Sequence, residues 1–576
     1  MAACRPPARS DLARQVRGLD PVEGEGTCRD AGGRLARAAV GAVGAAARAP
    51  SWSTPVFVAC ASCACVLAAG LSGCVPDQRD SHGEQRPDTA TPDDPGPGAQ
   101  LDGGTDDTDD TDDTDDTDDT DDTAGSTAKD TGLPDTGDPA HGISGEATWA
   151  DADIILRGRA ADTLSATLRL ADLDGDGRLE LLAGATGVED SRGASYVVRD
   201  PFTGTHYVED IASISLIGEQ ETDFSGSALG VGDIDGDGAN DLAIGAWGAG
   251  GPGLKGAIYL VTSPAEGEHD LADADGMIKG TEEWLGALVE LADMDGDGAA
   301  DLVAGAVYGD GDGGTPRGVA YLFLSPFTDT STSEDADLQI EGPTSYSYFG
   351  DEATGADTDG DGLLELYIGA CGAGGGAGAV YRFDPLLRGT ASALDADLAI
   401  RGEDWSQSLG DALRGDDLDG DGYADLLVGT WELSGAGNAF VFRGPLTGDL
   451  GPADASVTLL GHQDGAYEGS ELAVGDVNGD GARDLAVGAP FYETDSGDPG
   501  AFYVLKGPIA DGSVDLSTAS DAFIVGEEPM TVFGSRLAFG DVNGDGFDDL
   551  AAGSWAGETP DDMAGSVYLF LGGLGW

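Results

Sequence analysis

The residues best suited to chemistry are acidic side chains at alternate positions of a nine-residue segment. In its first copy, Asp172, Asp174 and Asp176 stand at positions 1, 3 and 5, and Glu180 stands at position 9. Position 6 is Gly177, which gives the backbone the freedom that a sharp turn needs. Several oxygen ligands in one short loop suit a hard cation with six to eight ligands, so the segment predicts a Ca²⁺ site.

The segment occurs seven times, and successive copies start 59 to 65 residues apart. Positions 1, 3, 5 and 9 are acidic or Asn in every copy, and the backbone carbonyl of position 7 would complete the ligand set. The predicted ligands, copy by copy, are Asp172, Asp174, Asp176, Arg178 and Glu180; Asp233, Asp235, Asp237, Ala239 and Asp241; Asp293, Asp295, Asp297, Ala299 and Asp301; Asp357, Asp359, Asp361, Leu363 and Glu365; Asp417, Asp419, Asp421, Tyr423 and Asp425; Asp476, Asn478, Asp480, Ala482 and Asp484; Asp541, Asn543, Asp545, Phe547 and Asp549. Solvated acidic turns are one alternative. An EF-hand is another, but Ala183 stands where its position-12 Glu would be in the first copy.

Short apolar runs flank every acidic segment. Leu follows position 9 directly, as at Leu181, and begins a run that contains a Gly three residues later. A second run carries aromatic and β-branched residues, for example at 257–261, and a third run, such as 398–401, precedes the next segment. With the strand that leads into the acidic segment, these runs make four strands per repeat. Residues 148–576 are therefore predicted to form an all-β, seven-bladed β-propeller.

An open solenoid is the alternative to a closed ring. A solenoid needs capping repeats, and neither end of 148–576 has the pattern of one. The strand predicted at 154–157 precedes the first acidic segment and has no partner in its own repeat. We expect it to complete the outer edge of the last blade and so to close the ring.

These repeats resemble FG-GAP repeats, the blades of the integrin α-subunit propeller, over essentially all of residues 148–576. Phe349-Gly350 and Phe533-Gly534 match the FG element, and Gly488-Ala489-Pro490 is a complete GAP element. Leu replaces Phe before Gly286 and Gly410, and Ser165 replaces the Gly in the first repeat. The resemblance implies a seven-bladed propeller of the FG-GAP type.

The chain is strongly acidic, with 107 Asp and Glu against 28 Lys and Arg and a formal net charge of -79. Such a surface repels phosphate backbones, which excludes nucleic acid as a partner. Residues 74–147 include six Thr-Asp-Asp units between Thr105 and Asp122. Because this tract repels itself and has no apolar face to bury, it is predicted to be a disordered linker. Calcium binding without fixed structure is the alternative role for the tract.

An apolar run from Pro55 to Leu71 follows an Arg-rich segment and ends in Leu71-Ser72-Gly73-Cys74. This ending resembles the lipobox of bacterial lipoproteins, in which cleavage precedes the Cys and its thiol carries the lipid. Residues 1–73 are therefore assigned to a signal region with an over-long N-terminus, and Cys74 to lipidation. The protein is predicted to be exported and anchored by lipid at the outer membrane or cell surface. A transmembrane anchor is the alternative, but the run is shorter than about 20 residues.

Two further readings of the cysteines are disfavoured. A zinc site at Cys60, Cys63 and Cys65 would lack converging His or acidic ligands within the apolar run. Cleavage would leave only Cys74 and Cys371, so no intrachain disulfide is expected in the mature chain.

No motif indicates an enzyme: Gly-x-Ser-x-Gly, His-Glu-x-x-His and the phosphate-binding Gly-Lys-Ser/Thr are all missing from the sequence. The connections opposite the acidic loops carry the predicted ligand face, formed by Trp247, Trp284, Trp405, Trp431 and Trp555. Aromatic residues on loops favour recognition of a protein or a glycan, and packing between blades is the alternative. The prediction is a calcium-binding adhesion module at the cell surface with an unidentified protein or glycan ligand. A structural envelope lipoprotein and a glycan-processing enzyme are the alternatives.

Overall fold

The computed structural model describes residues 144–576, apart from gaps at 200–202, 252–254, 283, 311–314, 328, 433, 496, 527–529 and 557–562. All of the described residues belong to one compact unit. The predicted signal region, the lipidation site at Cys74 and nearly all of the predicted linker lie outside the described residues.

Seven sheets, each with four antiparallel strands, follow one another along the chain, and we number them blades 1 to 7 by their acidic loops, from Asp172 to Asp541. Each blade has an inner, a second, a third and an outer strand, and the acidic loop joins the inner strand to the second. The inner strands are Leu164–Ala171, Ser225–Gly232, Leu285–Ala292, Ala353–Ala356, Leu409–Asp416, Leu472–Gly475 and Arg536–Gly540. The second strands are Glu180–Ala185, Asp241–Ala246, Asp301–Ala306, Glu365–Gly369, Asp425–Thr430, Asp484–Ala489 and Asp549–Ser554. The third strands are Ala194–Val198, Ala257–Val261, Val319–Phe323, Ala379–Phe383, Asn438–Phe442, Ala501–Leu505 and Ser566–Phe570. The outer strands are Ile214–Ile217, Gly276–Lys279, Leu338–Glu341, Leu398–Arg401, Val457–Leu460, Ala522–Val525 and Ile154–Arg157.

The inner strands contact one another in a closed ring, and the inner strand of blade 7 meets that of blade 1. The second strands are buried along their whole length, because each is covered by the blades on both sides. The core therefore lies between adjacent sheets: Leu168 and Ala183 of blade 1, for example, share a cluster with Ala551 and Val567 of blade 7. This is the predicted seven-bladed propeller.

The ring closes where the sequence predicted it would. Ile154–Arg157 is the outer strand of blade 7 and pairs antiparallel with its third strand, Ser566–Phe570, so that Ile154 lies opposite Leu569. The N-terminal strand and the C-terminal strands thus share one blade, and the prediction of closure by strand pairing is confirmed.

A fifth strand, which the sequence did not reveal, covers the outer edge of most blades. It comes from the connection that precedes the outer strand of the following blade, and it runs parallel to the strand it covers. On blades 1, 2, 3, 5, 6 and 7 these strands are Gly267–Asp270, Ser331–Thr332, Gly389–Ser392, Gly512–Asp515, Gly145–Thr148 and Gly204–Tyr207. On blade 4 a single bridge joins Ile400 to Leu450. An unpaired sheet edge invites association with other chains, and these strands cover it.

The described helices are single turns in the connections. They are Trp149–Asp151, Val188–Ser191, Val208–Ile211, Leu271–Asp273, Ser333–Asp335, Ala373–Gly376, Ala393–Asp395, Pro452–Asp454 and Leu516–Ala519. Within the described part of the chain, none of the helices has the length and apolar character needed to cross a membrane.

The glycines of the FG and GAP elements meet between neighbouring blades. A Cβ atom on Gly184 in the second strand of blade 1 would lie 1.9 Å from the carbonyl oxygen of Gly226 in blade 2, which itself has a φ of 82°. The same pairing joins Gly245 to Gly286 across the next interface. Both glycines are required because the two backbones touch, which explains their regular spacing along the chain.

Candidate metal centres and the opposite face

The acidic loops are organised by hydrogen bonds from their own backbone to their own carboxylates. In blade 1, Gly175 N and Gly177 N donate to the Asp172 carboxylate at 2.7 and 3.0 Å, and Arg178 N donates to Asp176 at 2.9 Å. The bonds from positions 6 and 7 recur in all seven loops. Each loop thus holds several carboxylate oxygens on one side of a tight turn before any ion binds.

The position 9 side chain has a structural role that the sequence did not reveal. In every blade its carboxylate accepts a hydrogen bond from the backbone N–H of position 2, as Asp241 does from Ile234 at 2.9 Å. In the five blades with Asp at this position, the second oxygen accepts from the backbone just beyond the third strand, as Asp241 does from Ser263 at 2.8 Å. The position 9 carboxylate therefore ties the loop to the sheet. The only sequence signal for this hydrogen bond is the Ser or Gly that commonly stands two residues after the third run.

Burial of the position 9 carboxylates makes their charged form unfavourable when no cation is nearby. The position 9 side chains of blades 2, 3, 5, 6 and 7 are at most 1% exposed. Burial raises the pKa of Asp425 and of Asp484 to about 6 and that of Asp549 to about 8, against the lowering effect of their backbone hydrogen bonds. A cation beside such carboxylates would favour their charged form.

The donor set fits Ca²⁺. Carboxylate oxygens of positions 1, 3 and 9 converge to within 4.8 Å of one another in blades 1 and 2, as do those of positions 1, 3 and 5 in blade 3 and all four acidic positions in blade 4. Blades 6 and 7 use Asn478 and Asn543 at position 3, whose side-chain oxygens each accept from the N–H of position 5. Oxygen donors alone, in a loop built on Asp, Asn and Gly, match the preference of a hard divalent cation. The position 7 carbonyls remain predicted ligands.

Acidic loops of adjacent blades are joined by backbone hydrogen bonds at four interfaces. The N–H of position 8 donates to the carbonyl of position 1 in the preceding blade at four interfaces, among them Leu179 of blade 1 to Asp541 of blade 7 at 3.1 Å. The other three pairs are Ala300 to Asp233, Ala424 to Asp357 and Asp548 to Asp476, at 2.7 to 3.0 Å. The conformation of one loop is thus coupled directly to the next.

The predicted ligand face needs correction at two of its residues. Trp247 and Trp431 are only 2% and 7% exposed, because they pack between blades. Trp247 stacks on Phe224 at 4.3 Å and on Trp284 at 4.5 Å between ring centroids, and Trp431 stacks on Tyr467 at 4.2 Å. The two side chains stabilise blade contacts and offer almost no surface to a ligand, which was the alternative interpretation.

The other three Trp residues differ in exposure. Trp405 is 66% exposed on the connection that leads into blade 5, and Tyr346 is 50% exposed on the corresponding connection of blade 4. Trp284 and Trp555 are half-buried, and Trp284 continues the aromatic stack to Tyr308 at 4.4 Å. The exposed aromatic surface on this face is therefore carried by the connections that precede the inner strands.

These connections share an unusual backbone conformation. The residue two positions before the FG glycine, or before Ser165 in blade 1, has a φ between 46° and 69° in all seven blades. The residues are Thr163, Phe224, Trp284, Tyr348, Ser408, Tyr467 and Val532. A left-handed conformation at residues other than Gly costs about 1–3 kcal/mol each, and its presence in every blade marks it as a feature of the fold.

The channel inside the ring contains a belt of charges from the inner strands. Arg414 of blade 5 pairs with Glu471 of blade 6 at 2.9 Å and with Glu352 of blade 4 at 3.9 Å. Glu471 also lies 3.5 Å from Arg536 of blade 7, and Arg169 of blade 1 lies 3.6 Å from Glu290 of blade 3. Sequence reasoning missed this belt because its members are far apart in the chain.

Cys371 is fully buried beside Val307 and Tyr348. The expectation of no intrachain disulfide concerns the chain cleaved before Cys74, and it stays a prediction. The six other cysteines of the chain lie at residues 4–74, outside the described residues.

Comparison with known proteins supports the fold. The FG-GAP repeat profile matches residues 469–505 and 533–570, which are the inner, second and third strands of blades 6 and 7 with the FG connections before them. Integrin alpha-7 of Rattus norvegicus is 33% identical over 180 residues, which cover 30% of this chain and 15% of that protein. Phosphatidylinositol-glycan-specific phospholipase D of Bos taurus is 35% identical over 176 residues, which cover 29% of this chain and 21% of the enzyme.

One solved structure, the biofilm matrix protein Bap1 of V. cholerae, overlaps 49% of this chain and 39% of its own with 15% identity and a TM-score of 0.25. The chain spans only 15% of the length of integrin alpha-7 and 21% of the length of the phospholipase D. The FG-GAP matches, the similarity to integrin alpha subunits and the strand order together establish a seven-bladed, integrin-α-like β-propeller with FG-GAP repeats.

Proposed function

We propose that this integrin-α-like FG-GAP propeller is a calcium-stabilised binding module that takes a protein or glycan ligand at the cell surface. The observation that carries the proposal is the sevenfold repetition of one oxygen-lined loop on one face of the ring. Bound Ca²⁺ would neutralise the carboxylates of a loop and help to hold neighbouring blades in register, since loops are joined to each other at four blade interfaces. Positions 1, 3, 5 and 9 would hold it, with the carbonyl of position 7.

The ligand surface we propose is the face opposite the acidic loops. Its exposed aromatic side chains, Trp405 and Tyr346, stand on connections between rigid strands. Aromatic side chains on a rigid scaffold give large contact area at little loss of conformational entropy, which suits both protein and sugar ligands.

The binding role is tested by screening the purified chain on glycan arrays and on extracellular proteins, in Ca²⁺ and in chelator. We expect a ligand whose binding requires Ca²⁺ and falls at least tenfold in Trp405→Ala, while Leu394→Ala, an equally exposed change in a connection between the third and outer strands, leaves binding unchanged. Cleavage of the bound glycan would favour an enzyme. No ligand in either screen would favour a structural envelope protein.

We also propose export and a lipid anchor at Cys74. Mass spectrometry of the mature N-terminus should find a lipidated Cys74, and Cys74→Ser should move the protein from the membrane fraction to the soluble fraction. An unmodified N-terminus upstream of Cys74 would contradict the anchor without affecting the calcium sites.

A further inference from the structure

One residue next to each acidic loop differs sharply from blade to blade. It directly follows the third strand, whose end lies beside position 9 of the loop. In blades 1 to 7 this residue is Arg199, Thr262, Leu324, Asp384, Arg443, Lys506 and Leu571. Only blades 1, 5 and 6 thus carry a basic side chain at this position.

In blade 5 the basic side chain enters its own acidic loop. Arg443 Nη1 lies 2.9 Å from Asp425 Oδ2 and 3.2 Å from Asp419 Oδ2. These oxygens belong to positions 9 and 3, two of the predicted metal ligands. A single guanidinium nitrogen therefore stands between carboxylates that a metal ion would bridge.

The rest of the guanidinium is held from the neighbouring blade. Arg443 Nε donates to Asp511 Oδ1 at 3.1 Å, and Nη2 donates to the carbonyl of Ile509 at 2.8 Å. The Arg443 side chain is 14% exposed, and all three of its nitrogens have a hydrogen-bond or ion-pair partner. Arg is always charged in proteins, so this is a permanent positive charge.

The basic residues at the same position of blades 1 and 6 reach less far into their own loops. Arg199 of blade 1 stays 3.6 Å from Asp174 and 3.7 Å from Glu266. Lys506 of blade 6 donates to the carbonyl of Trp576 at 2.9 Å and lies 3.6 Å from Asp521, neither of which belongs to the blade 6 loop. Among the described ion pairs, Arg443 alone contacts two ligand positions of its own loop.

We propose that Arg443 is the resident cation of the blade 5 loop and takes the place that Ca²⁺ takes in loops without such a residue. The inference rests on the proposed calcium binding of the other loops. Ca²⁺ requires oxygens at 2.3–2.6 Å from at least six ligands. A guanidinium that hydrogen-bonds the same oxygens fills that space and repels a second cation. Blade 5 is therefore stabilised without metal, and the chain binds one ion fewer than its seven loops suggest.

The test counts bound Ca²⁺ by titration calorimetry on the full propeller. Arg443→Met keeps most of the apolar stem and removes the charge, and we expect it to bind one more ion per chain than the unchanged protein. Adding Asp419→Ala to that variant should remove the gained ion, which places it in the blade 5 loop. Lys506→Met, at the same position of blade 6, is the matched control and should leave the count unchanged.

Failure of this inference is distinguishable from failure of the calcium function. Asp480→Ala in blade 6 should lose one ion, and if it does not, calcium binding by the loops is wrong. The role of Arg443 is overturned if Arg443→Met gains no ion, or if Asp419→Ala alone loses one. Should Arg443→Met fail to fold, the result for Asp419→Ala alone decides, and Arg443→Lys, which keeps the charge, should match the unchanged chain in its ion count.

Discussion

Gly422 stands at position 6 of the blade 5 loop with a φ of 92°, and a Cβ atom built there would have no neighbour within 4 Å. The same is true of position 6 in the other six loops. Gly is therefore required by its left-handed backbone conformation and not by steric crowding. This left-handed turn lets the N–H of position 6 reach the carboxylate of position 1.

Gly422→Ala should lower the free energy of unfolding by about 1–2 kcal/mol, the penalty of a Cβ in a left-handed conformation. Chemical denaturation in chelator measures this change apart from any effect on ion binding. Gly451→Ala is the control, because Gly451 has an extended φ of −145° and its Cβ would meet only the carbonyl oxygen of Arg401 at 3.5 Å, and it should stay within about 0.5 kcal/mol of the unchanged chain. Equal effects of the two changes would contradict the conformational explanation.

Glu471 in the channel predicts a pH dependence of stability. Burial raises its pKa above the usual 4.5, although Arg414 and Arg536 oppose that shift. The folded chain therefore keeps this proton to higher pH than the unfolded chain does. The stabilisation by protonated Glu471 is complete below about pH 4.5 and is lost as pH rises through the raised pKa.

Glu471→Gln removes the titration and keeps the shape of the side chain. The free energy of unfolding of the unchanged chain, minus that of the variant, should fall as pH rises from about 4.5. Denaturation curves at a series of pH values in chelator measure this difference. A difference that stays flat, or rises with pH, would show that the pKa of Glu471 is not raised.

Among the secondary-structure elements, the short strand Ile154–Arg157 matters for closure of the ring, because it completes blade 7. Leu156→Ala, at a site only 2% exposed, should cost about 2–5 kcal/mol and increase amide hydrogen exchange in Ser566–Phe570. Leu460→Ala at the end of the blade 5 outer strand is the control, since Leu460 is 38% exposed and does not close the ring. Protection of Ser566–Phe570 that survives Leu156→Ala would show that closure depends little on this strand.

The four principal strands of each blade could be predicted because each has an apolar pattern that repeats in register with the acidic loops. The fifth strand could not, because its backbone pairs with a neighbouring blade while its side chains stay in solvent. Gly267–Asp270, for example, is exposed at every residue. The contacts of Arg414 were missed, and the packing of Trp247 between blades was only one of two alternatives, for a related reason: their partners come from adjacent blades, and sequence spacing alone does not show which side chains meet.

In the whole molecule, backbone hydrogen bonds join acidic loops of adjacent blades at four interfaces. One Ca²⁺ that binds only the folded state stabilises it by about 2.7 kcal/mol at a hundredfold excess over its dissociation constant. Chelator should therefore lower the melting temperature, and the dependence on free Ca²⁺ should be steep because several ions are released together.

This prediction needs a control for ionic strength, because the chain has a net charge of -79 and any salt screens the repulsion between its acidic groups. Calorimetric melting in NaCl at ionic strength matched to the Ca²⁺ buffer separates screening from binding. Recovery of the full melting temperature in NaCl alone would mean that the loops have no specific ion.

The seam of the ring also determines how the molecule would bear force. Gly145–Thr148 holds the edge of blade 6 through four residue pairs, and Ile154–Arg157 holds blade 7 through four more. A pull on the chain N-terminal to Gly145 therefore reaches the propeller at the joint between its two ends. Under load, 145–148 would be stripped first and the outer strand of blade 7 next. The ring would then open into a linear row of blades. Under tension, the pairing of these two N-terminal strands would therefore break before any single blade unfolds.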